Sequence, residues 1–214
     1  MTKNRVVAIT GCIGSGKTRV ARYLQRIGGV EYIDADTICR DLLRPGALGW
    51  NAFVDAFGRK FLKKDDETIN RPVLRDAIFK DIELRARVNA ILHPMARESI
   101  SEMVGRYSEG STGRLVLVEA PLLFEAKWED DFDSVIVVYS TKEQCIERLR
   151  RRDHTSIQDA EAAFAAQGPI ADKVLRAHHV VENTGAWANT CLQLLHLNVL
   201  LWGKSTVIVH RPSI

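Results

Sequence analysis

The chain has no CxxC pair. Its four cysteines, Cys12, Cys39, Cys145 and Cys191, lie far apart, which fits neither a zinc site nor a disulfide framework and points to reduced thiols. An uninterrupted apolar run of membrane length is also missing. The most apolar late segment, residues 192–202, is broken by Gln193, His196 and Asn198 and reads as a packed helix that is too short to span a bilayer. The first residues, MTKNRVVAIT, enter a strand-like run with no secretory apolar core or cleavage site, so export is not expected and a cytoplasmic location is. Net charge is only +3 and aromatic residues are few, so no nucleic-acid partner is expected. Repeats and low-complexity stretches are absent. What remains is an ordinary globular composition, with 46% hydrophobic and 27% charged residues over 214 positions, enough for one domain with an insertion.

Apolar periodicity orders the elements. Residues 6–10 form a strand-like run ending at Gly11, and residues 17–27 carry Val20, Ala21, Leu24 and Ile27 at helical spacing. After Gly28-Gly29, residues 30–33 read as a second strand that ends on Asp34-Ala35-Asp36. Strand signals are scarce over residues 37–112, where residues 73–107 read as helices with Pro94 at a start or kink. Buried-strand runs return at residues 115–118 and 134–139, with a weaker one at residues 179–181. Between the last two, Ser140 or Thr141 caps a helix through Arg152, since Ser140/Glu143 and Thr141/Gln144 both fit a capping box. A second helix over residues 156–167 stops at Gly168-Pro169. Strands alternating with helices indicate a parallel α/β sheet. The strand-like tail at residues 205–210 has no evident place in it.

Gly11, Gly16, Lys17 and Thr18 fit GxxxxGK[ST] between a strand and a helix, the context that a phosphate-binding loop needs. Glycines let successive N–H groups turn toward one anion, the helix N-terminus adds positive potential, and Lys17 reaches the outer phosphates. Thr18 supplies a hydroxyl to Mg²⁺. The segment Gly11, Cys12, Ile13, Gly14, Ser15, Gly16, Lys17, Thr18 and Arg19 is thus the nucleotide-binding candidate, the alternative being a glycine-rich turn without ligand. No NKxD is present to read guanine. The late helical hairpin favours a small-molecule kinase whose lid closes over the nucleotide.

The sequence resembles the dephospho-CoA kinase family, within the nucleoside-monophosphate-kinase-like group. The resemblance rests on TGCIGSGKT (residues 10–18), DADTICR (34–40), INRPVL (69–74), His93-Pro94, PLLFE (121–125), RLRRRD (148–153), AAQGPIADK (165–173) and ENTG (182–185). It implies a three-layer P-loop NTPase fold of class α/β with a parallel five-stranded sheet. It divides one kinase domain into a core (residues 1–36, 113–140 and 174–204), a helical acceptor-binding insertion (37–112) and a helical lid (141–173). The implied reaction moves the γ-phosphoryl group of ATP, with Mg²⁺, to the ribose 3′-hydroxyl of dephospho-coenzyme A. No membrane or obligate protein partner is implied. The residues alone support a P-loop kinase with a small acceptor, so a nucleoside or nucleotide kinase and a non-catalytic nucleotide-binding module stay open.

The resemblance assigns Asp36 to the acceptor hydroxyl. Its ordinary pKa, about 3.9, makes it a poor base toward an alcohol, but in a loose transition state the proton turns acidic late, so orientation suffices. An exposed cap for a helix starting near Thr37 is the competing reading. Asp34 serves orientation or water-mediated metal contact. Arg148 and Arg152 share one helix face and reach the triphosphate on closure, unless the run is a solvated face; Arg151 is a candidate partner for Glu147. Arg40 and Arg71 match acceptor-side arginines and are candidates for its phosphates, or surface ion pairs. Leu122 and Phe124 form an apolar wall by the acceptor or belong to the core, and Asn183 matches the family's turn near the adenine of ATP or lies in a plain turn. His93 reads as structural. Glu119 stands where aspartate is commoner in the family and is a candidate for the metal's water shell. Asp65-Asp66 and His178 depart from the family pattern. So does Cys12, which replaces a glycine; the helix field is expected to lower its pKa and make it modifiable, with nucleotide protecting it, or it is an inert small side chain.

Overall fold

A computed structural model describes residues 5–108 and 115–203. They fall into two compact units, one of residues 5–33 with 115–203, the other of residues 34–108. The strand-like residues 205–210 and the end of the insertion, 109–112, lie outside the described residues.

In the first unit the strands β1 (Arg5–Thr10), β2 (Glu31–Asp34), β3 (Leu115–Glu119), β4 (Ser134–Tyr139) and β5 (His179–Glu182) form one sheet in the order β2-β3-β1-β4-β5. Pairing is parallel, with Val7 opposite Leu117 on one side and Ser134 on the other. A central parallel strand is covered on both faces, which explains why β1 is an unbroken apolar run and why Val7, Ala8 and Ile9 are wholly buried. His178, which replaces an acid, takes a sheet-edge role: its Nδ1 accepts from the Val135 N–H while its own N–H donates to the Val135 carbonyl.

Helix α1 (Lys17–Gly28) lays Val20, Ala21 and Leu24 on the core, and the helix that ends this unit, Trp187–Trp202, adds Leu194, Leu197 and Leu201. Among the described residues no helix is long and apolar enough to cross a membrane. Of the two capping boxes, the structure uses Thr141 and Gln144, whose side chains and backbones exchange bonds at the start of helix Lys142–Asp153. Ser140 is thereby released for another task. A second lid helix, Ile157–Ala165, is capped by Ser156 and ends before Gly168-Pro169, leaving Gln167 in the turn. A short helix, Ile170–Leu175, follows.

The second unit is helical: α2 (Ala35–Leu42), α3 (Leu48–Phe57), α4 (Arg71–Lys80) and α5 (Ile82–Ser108). With these inserted in chain order, the helices between β4 and β5 are α6 (Lys142–Asp153), α7 (Ile157–Ala165) and α8 (Ile170–Leu175), and α9 is Trp187–Trp202. The core of the second unit is Phe53, Phe61, Ile69, Leu74, Val88 and Leu92. Pro94 neither starts nor ends a helix but sits inside the 27-residue α5. Buried Leu92 before it and Ala96 and Ile100 after it continue one apolar face, and this packing outweighs the single backbone bond that proline forgoes.

Candidate active site

Residues 11–18 bend tightly between β1 and α1. Gly14 and Gly16 have φ of 80° and 91°, and a Cβ would lie 2.3 Å from the Cys145 carbonyl oxygen at Gly14 and 2.5 Å from Asn183 Nδ2 at Gly16. Both positions therefore exclude any side chain on grounds of conformation and of space. The backing atoms hold the loop by its carbonyls. Ser15 O accepts from Asn183 Nδ2 at 2.8 Å, Ser140 Oγ at 3.2 Å and Arg148 Nη1 at 3.3 Å, and Gly14 O accepts from Arg148 Nη1 at 3.4 Å. Because a trans peptide points its N–H opposite to its carbonyl, gripping Ser15 O turns the Gly16 N–H away from these donors, as an anion-binding nest requires. Lys17 is buried and its Nζ donates to Cys12 O at 3.3 Å across the loop. Ser15 Oγ is buried with no hydrogen-bond partner among the described residues, a donor left over for an acceptor that the protein does not supply.

Thr18, the second residue of α1, donates its hydroxyl to Glu119 Oε1 at 2.7 Å. Tyr32 of β2 donates to the other oxygen, Oε2, at 2.6 Å, and the Arg22 guanidinium stacks over the Tyr32 ring at 4.0 Å. A hydroxyl that gives its proton to a carboxylate keeps its lone pairs for a cation. The donor set, a hydroxyl oxygen and a carboxylate at strand β3's end, suits a hard divalent ion. Among the described residues no group of three or more His, Cys, Asp or Glu is arranged to hold a metal; such an ion would depend on phosphate oxygens for most of its ligands.

The lid helices pack onto the loop. Ile13 is partly buried against Ile146, Leu149, Ala160 and Phe164, and its N–H donates to Gln167 Oε1 at 2.7 Å. Buried Lys173 donates to Glu125 Oε1 at 2.8 Å, and the same oxygen accepts the Gly168 N–H at 3.4 Å. Arg148 does more than contact the loop: Nη1 also donates to Ser140 Oγ at 2.8 Å and Nη2 to Asn183 O at 2.9 Å. Arg152 makes a two-pronged pair with Asp153, at 2.7 and 2.9 Å, on the exposed side of α6. Glu147 is engaged by Arg150, not by the Arg151 that the spacing suggested. Arg19 stacks over Trp187 at 3.8 Å. Leu122 is exposed whereas Phe124 is buried beneath Arg176, so of the two wall residues Leu122 presents a surface.

Cys12 corrects the expectation of an activated thiol. It is 2% exposed, and burial pushes its pKa above the ordinary value despite the opposing charges of Lys173 and Lys17. Desolvation here exceeds the positive field. Cys145 is likewise pushed up to about 11, chiefly by burial.

In the helical unit, the cap of α2 is Asp34, not Asp36. Asp34 Oδ1 accepts from the N–H groups of Asp36 and Thr37 at 3.0 and 3.3 Å, and Oδ2 accepts from the Thr37 hydroxyl. A helix starting at Ala35 makes Asp34 the last extended residue, where a short acid fits best. Asp36 is exposed in the first turn, near Cys39, whose thiol is pushed up to about 11 by burial first and by Asp36 and Asp34 after it. Arg40 shares the Asp36 face one turn on; it lies 3.7 Å from Asp34 Oδ2 and bonds Thr37. Arg40 and Arg71 line one pocket. His93 is half-buried, and burial lowers its pKa, in keeping with a structural role.

Gln167, Lys173 and Glu125 stood inside the AAQGPIADK and PLLFE motifs, yet no spacing rule pairs Lys173 with Glu125 across 48 residues or Gln167 with Ile13 across 154. Tyr32 carried no functional signal, and Ser140 carried only that of a helix cap.

The dephospho-CoA kinase family model matches residues 5–189. The chain belongs to the dephospho-CoA kinase family. It is 35% identical over 190 residues to dephospho-CoA kinase of Bacillus cereus strain ATCC 10987, covering 88% of this chain and 93% of that protein. Dephospho-CoA kinase from Campylobacter jejuni superposes with a TM-score of 0.65 at 26% identity, over 92% of this chain and 98% of that one. Shikimate kinase from Acinetobacter baumannii, at 19% identity and a TM-score of 0.52 over 94% and 95% of the two chains, shares the fold. The chain is an ATP-dependent kinase of the P-loop class, with ATP and dephospho-CoA as substrates.

Proposed function

We propose that the loop of residues 11–18 holds the triphosphate of ATP while Asp36 directs the acceptor's ribose 3′-hydroxyl at the γ-phosphorus, giving ADP and coenzyme A. The observation that supports the donor half most is the triple grip on Ser15 O by Asn183, Ser140 and Arg148, which leaves loop amides for phosphate. Lys17 follows the outer phosphates. Asp36 orients the nucleophile and takes its proton as the new P–O bond forms and the γ–β bridge breaks. Arg152 neutralises charge on the transferred group once it exchanges Asp153 for phosphate. Arg148 acts through the loop it braces. Leu122 offers an apolar surface to the acceptor, while Arg40 and Arg71 meet its phosphates. Thr18, oriented by Glu119 and Tyr32, would hold Mg²⁺ with the nucleotide's oxygens; when bound, the ion offsets charge that develops between the β- and γ-phosphates. The reaction takes place in the cytoplasm without an obligate protein partner.

The direct test is ADP release by the purified chain with ATP·Mg and each acceptor in turn. Release that requires dephospho-CoA and yields coenzyme A is expected. Preferential turnover of a nucleoside or nucleotide overturns the acceptor assignment, and acceptor-independent release overturns the transferase reading.

A further inference from the structure

A pocket of about 270 Å³ in the helical unit is lined by four cationic side chains, Arg40, Arg44, Lys63 and Arg71, and by no carboxylate. Two of them come from the end of α2 and the turn after it, the other two from the segment that leads into α4. That segment is built to hold them together. Leu62 and Ile69 form an antiparallel bridge, the Lys63 N–H donates to Thr68 O at 2.9 Å, and the Asn70 N–H donates to Phe61 O at 2.7 Å. Asp66 closes the tip by accepting both the N–H and the hydroxyl of Thr68. Lys63 and Arg71 are thus fixed at opposite ends of one tight hairpin, with Ile69 as an apolar floor. The nearby acids already engage these cations: Asp41 pairs with Arg44 at 2.7 Å, Asp34 lies 3.7 Å from Arg40, and Asp66 at the hairpin tip feels the Lys63 charge. These pairs are exposed, so a phosphate competes for the same guanidinium groups at little penalty.

The pocket also stands at a telling distance from Asp36. Asp36 and Arg40 share one face of α2, one turn or about 6 Å apart along the axis, and Arg44 lies in the turn just past the helix end. That interval matches the reach of one ribose from its 3′-hydroxyl to the phosphate on its 5′-carbon. A diphosphate ester continues in the same direction, toward Arg44 and Lys63.

We propose that Lys63 and Arg44, with Arg40 and Arg71, bind the 5′-diphosphate of the acceptor, and that α2 acts as a ruler that presents the 3′-hydroxyl to Asp36. The inference rests on the acceptor reading above and adds to it the residues that make the acceptor's diphosphate the recognised feature. Lys63 and Arg44 are specificity-determining: they select an acceptor that carries a diphosphate over the bare nucleoside.

The test compares kcat/KM for dephospho-CoA with kcat/KM for adenosine, which has the ribose but no phosphate, in the wild type, in Lys63→Ala/Arg44→Ala and in Lys63→Glu. The preference for dephospho-CoA is expected to shrink at least about tenfold in the double variant, equal to about 1.4 kcal/mol, and further in Lys63→Glu, mostly through KM for dephospho-CoA. Because adenosine turnover is read on the same preparations, a misfolded variant lowers both values and leaves the ratio intact. An unchanged ratio in variants with a wild-type thermal midpoint overturns the pocket's role while the acceptor reading stands. A wild type that does not phosphorylate dephospho-CoA overturns both.

Discussion

The phosphate loop and the helical unit solve the problem of binding anions in opposite ways. Around the loop the polar groups are mutually engaged and several are buried: half-buried Arg148, with buried Ser140 and Asn183, grips its carbonyls, Gln167 takes the Ile13 N–H, and buried Lys173 pairs with Glu125. In the helical unit Asp36, Arg40, Arg44, Lys63 and Arg71 are exposed, and the ion pairs there are solvated. The first arrangement has its ordering cost met by folding; the second leaves much of it to the ligand. Donor affinity should therefore be sensitive to single groups behind the loop, whereas acceptor affinity should be spread over several exposed cations, each worth little alone.

The sharpest way to break this contrast is Asp36→Asn. Because Asp36 is exposed in the first turn of α2, kcat should fall at least about a hundredfold while ATP binding, followed by calorimetry, stays as it was. Retained turnover would remove Asp36 from the chemistry. Arg148 gives the next largest effect. Arg148→Ala leaves the carbonyls of Gly14, Ser15 and Asn183 short of a donor, and KM for ATP should rise about tenfold or more, the effect of one or two lost charge-assisted bonds. Arg148→Lys should recover only part, since an ammonium lacks the fork that spans these acceptors. A fall in kcat with unchanged KM for ATP would return Arg148 to direct phosphate contact.

The smallest effect concerns Cys12. With its pKa raised by burial, alkylation of the folded chain at neutral pH should be slow and should not depend on ATP·Mg, and mass spectrometry should find the label first on the half-buried Cys191. The sign for stability follows. A thiol whose folded pKa lies above its unfolded one ionises first in the unfolded chain, so stability is retained at neutral pH and lost as pH rises past about 8.5. Rapid, ATP-protected labelling of Cys12 would show that the field outweighs burial after all.

The strands and the loop were legible because their signals are local: five apolar runs, and glycines at fixed spacing before a lysine and a threonine. Helices α6 and α7 were legible from Thr141, Ser156 and Gly168-Pro169 for the same reason, whereas the short α8 was not. Where two local solutions competed, as with Ser140 against Thr141, the choice depended on a neighbour brought in from elsewhere: the Asn183 carbonyl, which shares the Ser140 hydroxyl with Ser15 O, lies 43 residues away; Asp34 prevailed over Asp36 because the helix starts at Ala35. Burial decided between the two readings of Cys12 in favour of the inert side chain, since the helix field is visible in sequence and the atoms that desolvate the thiol are not. For Pro94, read as a start or a kink, only the packed face of α5 shows that no helix starts there. The basic pocket was half visible, as Arg40 and Arg71; Lys63 and Arg44 join it only once the 62–69 bridge has formed.

The pairing of β1 with β3 and β4 has a consequence for how the molecule is made. The partners of Val7 are Leu117 and Ser134, and the loop's last brace, Asn183, comes later still. On a ribosome the helical unit, whose apolar cluster is drawn from residues 43–92, should collapse while the first strand still waits for a neighbour. Nascent chains arrested before residue 183 should thus resist protease over residues 34–108 and yet retain no nucleotide.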